Sequence, residues 1–417
     1  MNVFYLVSRF PVGFSGREYI LKQNIKTMVD KGISITIAYY DYGYSDGENS
    51  NHHLKSDYIK LLPLKKNSII TMLKNFLIKR KFSLQECLFY SYRQSKVIQQ
   101  ELSANKYDII LVDMIRMAPL VENINFPVKL IEYDDLLSSR YSRMREVKTD
   151  EFNLLGTYSN KFPIIFSRFA VSLKNFLLKY EGKKILSREN MLSKKFDRIS
   201  FTSRLEADEF KLRINYNKRV YDNPPSIKAC PTVTSASAVG SADFIFIGNL
   251  KSNHNLACLD NLTRIFKDAR LINVRLKVYG DYDERAIKTC ENQENILLCG
   301  KIINLSEKLQ QAKCLIAPFS FGTGIKIKII EAMQYKTLVI TNSIGAEGIP
   351  ISSDIHFINC STDEEYISNI LKINSYNKND KFITDITSAA NNLIQEKFAD
   401  NIVSDNFMKF LRGDDEK

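Results

Sequence analysis

Short apolar runs of strand length alternate with longer segments of helical period, and this rhythm occurs twice, once on each side of a proline-marked stretch. In the first half, Val3–Val7, Ile33–Tyr39, Tyr58–Leu62, Ile109–Val112, Val128–Tyr133 and Ile199–Thr202 read as strands, rich in β-branched and aromatic residues. Arg17–Lys31 reads as a helix with Ile20, Leu21, Ile25 and Met28 on one face. Asn223–Ser241 breaks the pattern: it holds Pro224, Pro225 and Pro231, a Ser/Thr/Ala/Val/Gly mixture, and Lys228 as its only charge. It has the composition of a linker. Alternation then restarts. Strands are expected at Phe244–Ile247, Val274–Tyr279, Ile296–Leu298, Leu315–Ala317 and Leu338–Thr341, with helices at Asn255–Phe266 and over the tail Thr384–Leu411.

Repeated β-α alternation builds parallel, doubly wound sheets. The expected organisation is therefore α/β: a Rossmann-like domain over 1–222, a linker over 223–242, a second Rossmann-like domain over 243–383, and helices over 384–417 that cross back to the first domain. Two such halves would face a central cleft. Ligands of these sheets bind outside the carboxyl ends of the strands, so two facing sites suit a reaction between two substrates.

Composition agrees with this and narrows the class. A chain of 417 residues suits two domains, and 44% hydrophobic with 25% charged residues is enough for two cores. The net charge of +12 favours polyanionic partners without choosing among them. Nucleic acid is not expected, because no zinc, RNP or helix-turn-helix pattern accompanies the charge. The seven cysteines (Cys87, Cys230, Cys258, Cys290, Cys299, Cys314 and Cys360) form no CxxC pair, which fits a reducing cytoplasm better than a disulfide or zinc framework. Met1–Tyr5 enters strand-like sequence with no basic stretch before it, so no secretory signal is expected. No run approaches the apolar length of a membrane span, so any membrane contact is expected to be peripheral.

The densest chemistry runs from Ala317 to Gly348. A strand ends at Ala317-Pro318. The loop Phe319-Ser320-Phe321-Gly322-Thr323-Gly324 follows, then Ile325-Lys326-Ile327-Lys328-Ile329-Ile330-Glu331-Ala332-Met333. A glycine loop entering a helix exposes backbone N–H groups to an anion, and the helix dipole adds positive charge there. Lys326 and Lys328 strengthen a diphosphate site, while Glu331, about two turns in, suits ribose hydroxyls. Ile325, Ile327 and Ile329 alternate with lysine at a strand period, but Glu-Ala-Met-Gln is good helix chemistry, and helix is the reading taken. A surface helix carrying a Lys328–Glu331 ion pair is the plain alternative.

This stretch resembles the donor-binding signature of GT-B glycosyltransferases of group 1 (family 4-like, bacterial surface-polysaccharide type), written GTGIKxKxxEAM in the subgroup it matches. Phe246-Ile247-Gly248-Asn249-Leu250 with Asn255, Val278-Tyr279-Gly280, and Leu298-Cys299-Gly300 followed by Leu309–Ala317 resemble further parts of that domain. Asp134-Asp135 with Ser138-Ser139-Arg140-Tyr141, and Phe196-Asp197 leading to Ser203, resemble segments of the first half. The resemblance is specific in residues 244–348. It implies that Gly324, Lys326 and Lys328 lie at the donor's diphosphate or sugar, that Glu331 binds the nucleotide ribose, and that the loop Gly13–Arg17, with Gly16, approaches the diphosphate from the other domain. Gly248, Asn249 and Lys251, with Gly322, Thr323 and Ile325, complete the candidate donor set. Two positions depart from the pattern: Thr323 stands where many relatives have glutamate, and Asn249 where many have arginine, leaving Lys251 a loose substitute.

The implied reaction moves a sugar from a nucleotide-diphosphate donor to a hydroxyl of a lipid-linked or surface-glycan acceptor, with retention. Amides, a helix dipole and lysines can stabilise the departing diphosphate without metal or cofactor. Asp281-Tyr282-Asp283 is the one DxD run, and it reads as a turn at a strand end. None of the four histidines has a persuasive base context. Asp113 is the candidate base, with a helix N-cap as its other reading, and Asp134 and Asp135 share that ambiguity. Lys328 and Glu331 join Asp113 as candidates for the chemistry. A GT-B epimerase and a non-catalytic sugar-nucleotide binder are the alternatives.

Lys60–Lys81 carries seven basic residues and no acidic one, with Ile69, Met72, Leu73, Phe76 and Leu77 at helical spacing. Phe162–Lys184 repeats the theme. Both read as basic interfacial segments for an anionic inner-membrane surface, or as solvated faces over ordinary core stripes.

Overall fold

The computed structural model describes residues 1–11, 16–41, 56–146, 174–215, 219–227, 243–377 and 379–414. Gly13, most of the expected linker and residues 162–173 lie outside them. The described residues divide into two compact units. One comprises Met1–Glu146, the chain from 174 to Ser226 and the segment from Val403; the other runs from Ile227 to Ile402.

The first unit is a seven-stranded sheet of order β3-β2-β1-β4-β5-β6-β7, every pair parallel. Its strands are β1 (Asn2–Val7), β2 (Ser34–Tyr40), β3 (Ile59–Leu64), β4 (Ile109–Asp113), β5 (Lys129–Asp134), β6 (Arg198–Phe201) and β7 (Arg219–Asp222). The order reverses direction between β1 and β4, which puts crossover helices on both faces. Buried on both sides, β1 from Val3 onward and all of β4 lose their alternation and become continuous apolar runs. Helix α1 (Gly16–Asp30) packs Leu21, Ile25 and Met28 against Val3, Tyr5 and Ile35.

The second unit repeats the plan with six parallel strands, in order β10-β9-β8-β11-β12-β13. They are β8 (Phe244–Ile247), β9 (Leu276–Tyr279), β10 (Ile296–Gly300), β11 (Cys314–Ala317), β12 (Leu338–Thr341) and β13 (Ile358–Asn359). Renumbered within the unit, the order is the same 3-2-1-4-5-6. The expected fold class holds.

Two boundaries differ from the sequence expectation. Asn223–Ser226 is no loose tether: Asn223 Nδ2 donates to Asn24 Oδ1 at 2.9 Å, Gln23 Nε2 to the Pro224 carbonyl at 3.0 Å, and the Ser226 amide to Gln23 Oε1 at 2.6 Å. These bonds fasten the segment to α1. The helix Lys381–Phe398 stays with the second unit, burying Ile383, Ile386, Ile394 and Phe398 in its core. Only from Val403 does the last helix, Asp400–Arg412, join the first unit, where Phe407, Met408, Phe410 and Leu411 enter the core beside β1 and β4.

Candidate active site

The candidate donor residues gather at the carboxyl ends of β8 and β11. Gly248 follows β8, its amide donating to the Tyr279 carbonyl at 2.9 Å. Gly280 crosses so closely that a Cβ there would lie 1.8 Å from the Gly248 oxygen. After β8, Asn249 Oδ1 accepts from the Lys251 amide at 3.0 Å, folding a short polar turn that delivers Asn255 to the helix Asn253–Phe266. Asn255 is buried and works at both ends of its amide. Nδ2 donates to the Asn249 carbonyl and to Ser252 Oγ, each at 3.0 Å, and Oδ1 accepts from Lys328 Nζ at 2.7 Å.

The glycine loop is fixed from below. Asn261 Nδ2 donates to the Pro318 carbonyl at 2.9 Å and to Ser320 Oγ at 2.7 Å, and Asn342 Nδ2 donates to the Phe319 carbonyl at 2.6 Å. Gly322 and Gly324 take φ of 141° and 68°, a backbone that side chains oppose. Lys326 folds back over the loop, donating to the Gly324 carbonyl at 2.7 Å and the Thr323 carbonyl at 3.3 Å. The helix begins at Ile327 and runs to Gln334, so the helical reading holds while Ile325 and Lys326 precede it. The Lys326 side chain does not cap its N-terminus, where the first amides of a helix are ready partners for an anion.

Lys328 lies over the Phe246 ring, 4.4 Å from its centre, with Phe319 at 5.4 Å. Burial pulls its ammonium down to about 8; Lys326 also lowers it, against the pull of Cys258 and Glu331. Burial pushes Glu331 up to about 7, opposed by Lys328. Among the described residues, no side chain hydrogen-bonds the Glu331 carboxylate, which is half-buried and near enough to Lys328 to feel its charge. Lys251 is exposed and lies 4.0 Å from Asp281, which also pairs with Lys301 at 3.3 Å. Asp283 caps the helix Glu284–Thr289 and holds Arg285 at 2.9 Å, so both aspartates of the DxD run have protein partners.

The first unit places its candidates differently from the expectation. Asp113, the last residue of β4, is fully buried and accepts from Arg17 Nε at 2.7 Å, Ser8 Oγ at 2.7 Å and the Ser8 amide at 3.0 Å. Burial would raise its carboxyl, but Arg17 and Ser8 outweigh that and hold it below the usual range. A carboxylate so engaged has little basicity to offer, and it caps no helix either: Met114 precedes the short helix Ile115–Leu120. Arg17, expected to reach toward a diphosphate, is instead buried among Asp113, Glu132 at 3.0 Å and Asp134 at 3.5 Å. Gly16 opens α1 beside it. Glu132 is the residue that motif reading missed. It sits mid-strand and accepts from Arg17, from Asn24 at 2.7 Å and from the Tyr5 hydroxyl. An acid inside an apolar strand is its only sequence signal. Asp134, at the end of β5 with φ of 69°, keeps a solvent-facing side, and burial raises it to about 6 against the pull of Arg17.

The sequence profile described as glycosyl transferases group 1 matches residues 241–373. No curated protein sequence matches significantly. Among solved structures, sucrose-phosphate synthase from Thermosynechococcus elongatus superposes with a TM-score of 0.68 at 12% identity, covering 99% of this chain and 98% of that one. A TarM variant from S. aureus, in complex with UDP, fondaparinux and alpha-GlcNAc-glycerol, gives 0.62 at 13% identity over 98% and 99%. HepE from Anabaena, in complex with UDP-glucose, gives 0.62 at 13% over 99% and 100%. At these identities the structures speak to fold, and the family comes from the profile. Residues 241–373 are a group 1 glycosyltransferase domain, and the chain that carries them is a glycosyltransferase of GT-B fold.

Proposed function

We propose that the chain moves a sugar from a nucleoside-diphosphate sugar to a hydroxyl of a lipid-linked or surface-glycan acceptor, with retention, at the inner face of a bacterial membrane during polysaccharide synthesis. The observation that carries this is the group of Lys328, Asn255 and Glu331 on and beside the helix that follows the glycine loop. The diphosphate meets the first amides of Ile327–Gln334 and the Lys328 ammonium, and Glu331 accepts from the ribose. Gly322, Thr323, Gly324 and Ile325 form the wall of that pocket, Lys326 holds the loop in shape, and Gly248, Asn249 and Lys251 border it at β8.

Transfer breaks the bond between the anomeric carbon and the diphosphate oxygen and forms the bond to the acceptor oxygen. The acceptor proton passes to a donor phosphate oxygen, and the charge that grows on the diphosphate is met by Lys328 and the amides. No cofactor or metal takes a part in this reading. On the acceptor side, Asp134 replaces Asp113 as the carboxylate with an open face and a raised pKa. The uridine nucleotides bound by TarM and HepE support a UDP-sugar as the first donor to try.

Thermal shift against UDP-, GDP-, ADP- and CDP-sugars tests the reading. One class is expected to stabilise the chain, and Glu331→Ala is expected to lose that shift without unfolding. No stabilisation by any class would sink it. Conversion of the donor to an epimer with no acceptor present would replace transfer by epimerisation.

A further inference from the structure

Helix α2 (Ile69–Ile78) has its polarity reversed. A surface helix ordinarily turns its apolar stripe to the core and its polar residues to water. Here Asn75 is the one buried residue, with Thr71 and Met72 half-buried beside it. Asn75 Nδ2 donates to the Cys87 carbonyl at 3.0 Å and the Tyr90 carbonyl at 2.7 Å, keying the helix rotation to the carboxyl end of the neighbouring helix Leu84–Phe89. Ser68 caps the start through the Thr71 amide at 3.2 Å. The face left outward carries Ile69, Ile70, Leu73, Phe76, Leu77 and Ile78, with Ile70 77% and Leu77 70% exposed. Such a patch reaches several hundred square ångströms, the size that marks a contact surface.

The charge around it selects the occupant. Between Lys60 and Gln85 every charged residue is basic, and Lys65, Lys66, Lys74, Arg80 and Lys81 are exposed beside the apolar face. A second copy of the chain would bring the same lysines against these, so self-pairing is opposed by like charge. A surface that is apolar inside and anionic at its rim matches both features. Ten residues make a helix about 15 Å long, which suits lying within an interface.

We propose that α2 is a membrane anchor lying flat in the headgroup layer of an anionic bilayer. Ile70, Leu73 and Leu77 enter the acyl boundary, and Lys74, Arg80 and Lys81 meet lipid phosphates. This deepens the membrane side of the proposed function and rests on it for the biological role, but vesicle binding needs neither donor nor transfer.

The test is flotation of the full chain with phosphatidylcholine vesicles, with and without phosphatidylglycerol. The wild type is expected to float with the anionic vesicles, to be released by salt, and to ignore neutral ones. Ile70→Ser with Leu77→Ser is expected to weaken flotation roughly tenfold or more, with the melting temperature and any donor-induced shift unchanged. If that variant folds poorly, Lys74→Glu with Arg80→Glu is expected to abolish flotation without touching an apolar residue. Indifference of the wild type to anionic vesicles, or undiminished flotation of both variants, overturns the proposal. So does a wild-type dimer that the serine variant dissolves with no vesicle binding. Loss of donor binding alone strikes the transferase reading and leaves the anchor standing.

Discussion

Glu331 and Lys328 are opposite charges that burial has made reluctant, and their shifts set a window for donor binding. Glu331 must be ionised to accept from a ribose, which with a pKa of about 7 requires pH above that value. Lys328 must be charged to meet a diphosphate, which with a pKa of about 8 requires pH below that value. Donor affinity measured calorimetrically is therefore expected to peak between the two, and Glu331→Gln is expected to remove the acid limb. The same shift acts on stability. An acid whose folded pKa is raised holds its proton more firmly when folded, so the chain loses stability as pH climbs from 4.5 to about 7. Glu331→Gln should then stabilise the protein at pH 8, by on the order of 1–2 kcal/mol once solvent contact is discounted. Arg17 presents the contrary case. Removing its guanidinium leaves Asp113 and Glu132 charged, buried and unmatched, so Arg17→Ala is expected to cost about 3–5 kcal/mol in urea melts. A variant with unchanged stability but lost donor affinity would return Arg17 to the diphosphate.

At the scale of elements, the crossing of Gly280 over Gly248 holds the ends of β8 and β9 in contact. Gly280→Ala places a Cβ against backbone and demands a φ of 138°, so it is expected to destabilise the second unit by about 3 kcal/mol and to blunt the donor-induced thermal shift. Strands such as β1 and β4 were legible because burial on both faces leaves runs of apolar and aromatic residues. β7 and β13 were not: Arg-Val-Tyr-Asp and Ile-Asn, at sheet edges, carry too few apolar residues for a pattern. Periodicity found the stripe of α2 but could not say which side faces inward. That was decided by one amide, Asn75, finding two carbonyls distant in sequence. The donor loop was readable from glycine, lysine and glutamate spacing. Its braces Asn261 and Asn342, and the bond from Lys328 to Asn255, were not, because an asparagine's partner lies elsewhere in the chain. Asp113 went astray for the same reason: position at a strand end is local, whereas the buried arginine facing it is not.

Over the whole molecule, the two Rossmann-like units and a return of the tail to the first one were expected from the sequence, while the points of crossing were not legible. The chain leaves the first unit at Ser226 and returns at Val403. The returning helix is held at its end by Arg198 Nη2 on the Leu411 carbonyl at 2.8 Å and by Arg219 Nη1 on the Gly413 carbonyl at 2.6 Å, cations where the helix dipole wants them. Ending the chain after Ile402 removes Phe407, Phe410 and Leu411 from the first core. Limited proteolysis of that truncation is expected to digest the first unit quickly and to spare a fragment beginning near Ile227. The order of synthesis gives this arrangement a further meaning. The amino-terminal half emerges from the ribosome first, yet its core lacks Phe407 and Phe410 until the segment from Val403 has been made. It stays incomplete while the whole second unit, Ile227 to Ile402, is made.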